Sequence, residues 1–213
     1  MINKLEKVLL HILSSVFVVL ILLIIAFVAG KIGASAIVTE AKQEEVVWDI
    51  LSEYSPNDKF TAAIMAAICQ ESGYKSNACY GYYLMPEGFC EKRTEKIDLG
   101  LNDKSTKEAF CYRLDYCGYG LLQWCDVFEL EKLYDYASEY GESIGDANMQ
   151  CSFIISDLEK NYSDVYEAML GTENVKECAR IFTVFYVGTS LGERIWGRGD
   201  LAEEIYERFA ESK

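Results

Sequence analysis

The 213-residue chain contains one histidine, His11, and only two prolines. His11 lies inside an apolar run near the N-terminus, so the remainder of the chain has no imidazole to work with. That excludes a Ser-His or Cys-His nucleophile pair and a His-ligated zinc hydrolase site. No two cysteines stand in a CxxC spacing, which leaves little basis for structural zinc. No segment alternates apolar and polar side chains with a sustained period of two, so a sheet is not expected. Basic residues are scarce as well: 20 Lys and Arg face 34 Asp and Glu, a net charge of −14. Lys4, Lys7, Lys31 and Glu6 precede Ile37, and the residues beyond carry 17 basic against 33 acidic groups, a net of −16. Such a body repels phosphate backbones, and nucleic acid is not an expected partner. No cofactor is expected either. Chemistry carried by carboxylates survives every one of these exclusions.

What the chain does have begins with Val8 to Gly30, apolar except for His11, Ser14 and Ser15. Its length suits a helix that crosses a bilayer. Lys4, Lys7 and the amino terminus precede it, and only Lys31 follows closely, so the charge bias predicts a cytoplasmic N-terminus and an exported body. A cleavable signal peptide is the competing reading, because Ala34-Ser35-Ala36 resembles a cleavage site and cutting after Ala36 would yield a secreted form. The run is longer than a usual signal core and Lys31 interrupts the approach to that site, which favours an uncleaved anchor. The organisation expected is a tip and anchor over residues 1–30, a short linker over 31–43, and one domain over 44–213. All eight cysteines (69, 79, 90, 111, 117, 125, 151 and 178) lie in the exported part. Their even number there predicts at least two disulfides.

The body reads as mainly helical. Glu44 to Tyr54 is a first helix, with Val46, Val47, Ile50 and Leu51 facing inward. Ser55-Pro56-Asn57-Asp58 ends it and supplies an N-cap, Asn57 or Asp58, for the next. Residues 74–117 form a turn-rich, cysteine-rich insert with a short helix over Ser105 to Leu114. Tyr80, Tyr82 and Tyr83 within it either line a cleft or fill a small satellite core. Helices follow over Asp126 to Tyr140, Ala147 to Leu158, Asp164 to Leu170, Asn174 to Val187 and Leu201 to Phe209.

Two stretches carry candidate chemistry. In Phe60-Thr-Ala-Ala-Ile-Met-Ala-Ala-Ile-Cys-Gln-Glu-Ser-Gly73, Phe60, Ala63, Ile64, Ala67 and Ile68 make one apolar stripe. At about 100° per residue, Glu71 continues that stripe nearly two turns beyond Ile64, and Gly73 is a plausible helix stop. A carboxyl group set inward at a helix end suits a general acid, because burial disfavours its charged form. The second stretch is Gly118-Tyr119-Gly120-Leu121-Leu122-Gln123-Trp124. Its glycines allow close backbone approach, and Gln123 and Trp124 offer an amide and an aromatic plate.

Gln70-Glu71-Ser72-Gly73 together with Gly118 to Trp124 resembles the phage tail-type lysozyme domain of the lysozyme-like superfamily. More distantly the chain is similar to lytic transglycosylases and goose-type lysozymes. The resemblance covers about residues 45–210 and implies a lysozyme-like helical fold that cleaves the glycan strand of peptidoglycan. By that similarity Glu71 protonates the glycosidic oxygen and Gln123 binds the sugar near the scissile bond. Tyr119, Gly120, Trp124 and Tyr186 contribute to the substrate cleft in the same picture. Peptidoglycan is then the partner, the membrane the support, and a secretion, conjugation or phage-derived apparatus the implied setting. The chain departs from the family pattern in its long insert and in Val187-Gly188 after Phe185-Tyr186, which leaves no second catalytic carboxylate assigned. Asp115, Asp126 and Glu129 are the candidates, with helix capping or surface solvation as their simpler roles. Hydrolysis and release of a 1,6-anhydro product both remain open. A wall-binding module of the same fold without activity is the alternative function.

Overall fold

The structure is a computed structural model and describes residues 42–79, 85–112, 118–189 and 192–210. The chain divides into two units, Met1–Lys42 and Gln43–Lys213. The expected anchor, most of the expected linker, Tyr80, Tyr82, Tyr83 and Asp115 lie outside the described residues. Among the described residues no helix is long and apolar enough to cross a membrane.

The second unit is mainly α, as its periodicity predicts. Its elements are α1 (42–54), α2 (Asp58–Ser72), α3 (Phe89–Asp98), α4 (Lys104–Cys111), α5 (Val127–Tyr140), α6 (Ala147–Asn161), α7 (Ser163–Gly171), α8 (Val175–Ile181), a π-helical turn (Phe182–Tyr186) and α9 (Gly192–Phe209). Extended pairing among the described residues is limited to isolated bridges, Cys79 with Tyr119 and Tyr119 with Trp124.

The fold is built around α2. Asn57 caps it, its side chain accepting the Phe60 N–H at 3.0 Å, and this satisfies one of the donors a helix start leaves open. Gly73 ends it in the left-handed conformation, φ 58°, with its N–H returned to the Cys69 carbonyl. Every residue from Phe60 to Ile68 is buried, so the helix is covered all round rather than along one stripe. α8 and α9 pack on α2 and on each other. Burying side chains such as Ile64, Met65 and Ile68 contributes roughly 2 kcal/mol each, as an upper estimate.

Several expectations need correction. In α1 the inward face is Glu44, Val47, Trp48 and Leu51, and Val46 is exposed. Trp48 turns in to stack on Phe209 of α9, with ring centroids 4.9 Å apart. The insert holds two helices, not one. α3 escapes a periodicity reading because its buried side chains, Cys90, Thr94 and Ile97, are few and only moderately apolar. α9 begins well before Leu201, through Gly197 and Gly199, which read as helix breakers. Cys69, Cys79, Cys90, Cys111, Cys151 and Cys178 form no disulfide. Of eight cysteines, this leaves room for at most one intramolecular disulfide, so at least two is an overestimate. These thiols sit in the core as small hydrophobes: burial pushes Cys111, Cys151 and Cys178 up to about 12, where they are inert.

Candidate active site

Glu71 occupies the last turn of α2, one residue before Ser72 ends it. Two successive left-handed residues, Gly73 (φ 58°) and Tyr74 (φ 65°), then turn the chain away. A tyrosine in that conformation is strained. It is held there by burial and by its hydroxyl, which donates to Glu44 Oε1 at 2.8 Å. Burial of the ring, ahead of the neighbouring Cys69 and Glu44, drives the Tyr74 hydroxyl well above its ordinary range, so it stays a donor. Arg208 of α9 holds the second oxygen of Glu44. α1, the exit from α2 and α9 are thereby locked together beside Glu71.

The carboxyl group itself is neither surface nor core, with 20 % of the side chain exposed. It is paired with Arg198 of α9, whose Nη2 donates to Glu71 Oε1. Arg198 Nε donates to Gln70 Oε1 at 3.0 Å, and the arginine side chain is 1 % exposed. A buried cation of this kind is costly unless paired and hydrogen-bonded. Two consecutive α2 side chains supply those partners. The sequence reading missed Arg198 because the segment Gly197-Arg198-Gly199 looks like a break between helices.

The glycine-rich stretch is brought against the chain that follows Glu71. Tyr119 and Trp124 exchange backbone hydrogen bonds at 3.1 and 3.0 Å, making a tight turn, and Gly120 N–H donates to the Ala78 carbonyl at 2.8 Å. Gln150 of α6, fully buried, fastens the turn from behind. Its Oε1 accepts from Leu121 N–H at 2.8 Å, and its Nε2 donates to the Ser76 and Ile144 carbonyls, each at 2.7 Å. Gly120 (φ 78°) is required twice over. Its backbone is left-handed, and an added Cβ would lie 2.7 Å from Gln150 Oε1 and 2.9 Å from Trp124 Cζ3. Gln150, polar in the middle of an apolar helix face, is the signal that could have found this bolt in the sequence.

The other expected site residues divide by burial. Gln123 is half-buried at φ 53°, and its Nε2 donates to the Ala78 and Gly120 carbonyls at 3.0 and 3.1 Å. Its amide nitrogen therefore holds the turn to the segment after Glu71. Tyr119 is fully buried, with its hydroxyl bonded to Thr94 at 2.6 Å and its ring edge-on to Phe110. Trp124 is buried against Phe153. Neither presents an open aromatic plate; both are the wall behind the turn. Tyr186 stacks on Phe182 and donates to Asp157 Oδ2 at 3.1 Å, in a part-buried network with Lys132 and Asn161. The exposed large aromatics among the described residues include Trp196 of α9, at 72 %.

Two of the three candidates for a second carboxylate, Asp126 and Glu129, have structural work. Asp126 caps α5 by accepting Phe128 N–H at 2.8 Å. Glu129 accepts from the Tyr162 hydroxyl at 2.8 Å and pairs with Lys132 at 3.0 Å. Among the described residues no group of His, Cys, Asp and Glu could hold a metal ion. The arrangement offers one carboxyl group, held by a buried guanidinium, at the open end of a buried helix. It can give and take a proton at a bound oxygen.

Comparison with curated proteins and with solved structures gives no match. Residues 42–209 match the family described as phage tail lysozyme, and with that span the chain belongs to the phage tail lysozyme family.

Proposed function

We propose that the chain cleaves the glycan strand of peptidoglycan, with Glu71 as general acid, from a body anchored outside the cytoplasm by residues 1–30. The observation that carries the reading is the placement of Glu71. It is a partly exposed carboxyl group at the end of the buried central helix, with the Gln150-fastened turn beside the segment that follows it. Glu71 gives its proton to the glycosidic oxygen as the anomeric C–O bond breaks, and the electron pair leaves with that oxygen. The carboxylate then takes the proton of the attacking hydroxyl. If water attacks, the product is a reducing sugar. If the C6 hydroxyl of the same sugar attacks, the product is a 1,6-anhydro sugar. On this reading both routes use the one acid twice.

The test is clearing of purified cell walls by the full chain and by Glu71→Gln, with mass spectrometry of the released fragments. Wild type should clear the wall and Glu71→Gln should lose about 10²-fold or more of the rate. Equal clearing by both would remove Glu71 from the role. Sedimentation of both with wall material, and clearing by neither, is the outcome that installs the binding-module alternative. Membrane fractionation of expressing cells tests the anchor: the full-length chain should pellet with membranes, and a soluble form beginning after Ala36 would establish cleavage.

A further inference from the structure

We infer that Arg198 is the positioning residue for Glu71: its guanidinium fixes the carboxyl group and offsets the charge left when the proton departs. The inference rests on the glycan-cleaving reading and extends it to a residue 127 positions away in sequence.

Three observations carry it. The first is specificity of contact: Arg198 uses Nε for Gln70 and Nη2 for Glu71, so one planar group grips two consecutive residues of α2. A fork of this shape fixes orientation as well as charge, which a point cation cannot do. The second is burial. The arginine side chain is 1 % exposed and the glutamate 20 %, so the cation is enclosed while the carboxyl group reaches the solvent side. A surface ion pair of opportunity has both partners wet and contributes little. The third is that, among the described residues, the guanidinium's side-chain hydrogen bonds go to Gln70 and Glu71, and its Nη1, also buried, makes none.

Such a group serves the step after the proton has left. A lone acid must act first as donor and then as base, and between those steps it carries a negative charge in a partly buried site. An enclosed guanidinium stabilises that intermediate charge and prevents the carboxylate from swinging away before the second proton transfer.

The experiment is steady-state kinetics of the full chain on purified glycan strands, with melting curves run alongside. Arg198→Gln should lower kcat about 10²-fold with KM unchanged within about twofold. Arg198→Lys, which restores charge without the fork, should recover part of the loss. In a Glu71→Gln background, Arg198→Gln should change the residual rate by no more than about twofold, because the pair acts as a unit. Full kcat in Arg198→Gln, or a Lys variant no better than the Gln variant, would overturn the inference. Should Arg198→Gln fail to melt cooperatively, Gln70→Leu decides, since it removes only the Nε acceptor. A several-fold fall in kcat at unchanged KM supports the inference, and wild-type kcat overturns it. A wild-type chain that leaves the strands intact brings down the enzymatic reading itself. An active wild type beside an equally active Arg198→Gln brings down the inference alone.

Discussion

Gln150 and Leu121 are joined across the core, the side-chain Oε1 of the first accepting the backbone N–H of the second at 2.8 Å. The same amide serves Ser76 and Ile144, so one buried side chain satisfies three backbone groups from three segments. Gln150→Leu keeps the bulk and leaves all three groups without their partner. The expected cost is about 3 kcal/mol of unfolding free energy, measured by chemical denaturation. A loss below about 1 kcal/mol would mean that the turn is held by something other than this residue.

Gly120 and Gly141 make a matched pair. Their φ values are 78° and 80°, so the backbone penalty of a side chain is nearly the same at both. An added Cβ meets nothing within 4 Å at Gly141, whereas at Gly120 it meets Gln150 and Trp124. Gly141→Ala should cost about 1 kcal/mol and Gly120→Ala about 3 kcal/mol. Equal losses in thermal melts of the two variants would refute the crowding argument.

Removing the Glu71 carboxylate should destabilise the chain. Glu71→Ala leaves the enclosed Arg198 with Gln70 as its remaining bonded partner and should cost about 2 kcal/mol. Glu71→Gln keeps an oxygen acceptor and should cost less. Melting temperatures of the two variants check the order, and a Glu71→Ala protein more stable than wild type contradicts it.

The acid side of the stability profile has named contributors. Asp103 caps α4, and hydrogen bonds from the Ser105 hydroxyl and backbone hold its carboxyl below the ordinary 3.8. Hydrogen bonding from Arg180 likewise holds Glu177 below 4.5. Both values are lowered in the folded chain, so their stabilisation is present above those ordinary values and is lost as pH falls through the folded ones. Asp103→Ala and Glu177→Ala should therefore be less stable than wild type at pH about 6, and the differences should shrink as pH falls below those ordinary values into strong acid. A difference that persists unchanged into strong acid would assign the effect to packing instead.

The sequence made the helices legible where a cap and a stripe coincide. Asn57, Asp126, Asp146 and Asn174 each cap the helix that follows, and apolar spacing marks α2, α5, α6 and α8. The place of Glu71 at the end of α2 was readable because the apolar stripe runs up to it and Gly73 stops the helix two residues on. Tyr119 and Trp124 were read as cleft aromatics because periodicity cannot separate a ring facing a groove from one facing the core. Arg198 was invisible for a different reason. Glycines on either side suppress local helix propensity, and only packing of α9 on α2 and α8 overrides it.

The 127 positions that separate Arg198 from Glu71 also set a clock. At ordinary rates of synthesis the arginine is made on the order of ten seconds after the glutamate. Throughout that interval α2 has its carboxyl group but not the guanidinium that steadies it, and the contact can close only after α9 has emerged. The chain thereby stays without its Glu71–Arg198 contact for as long as it is being made.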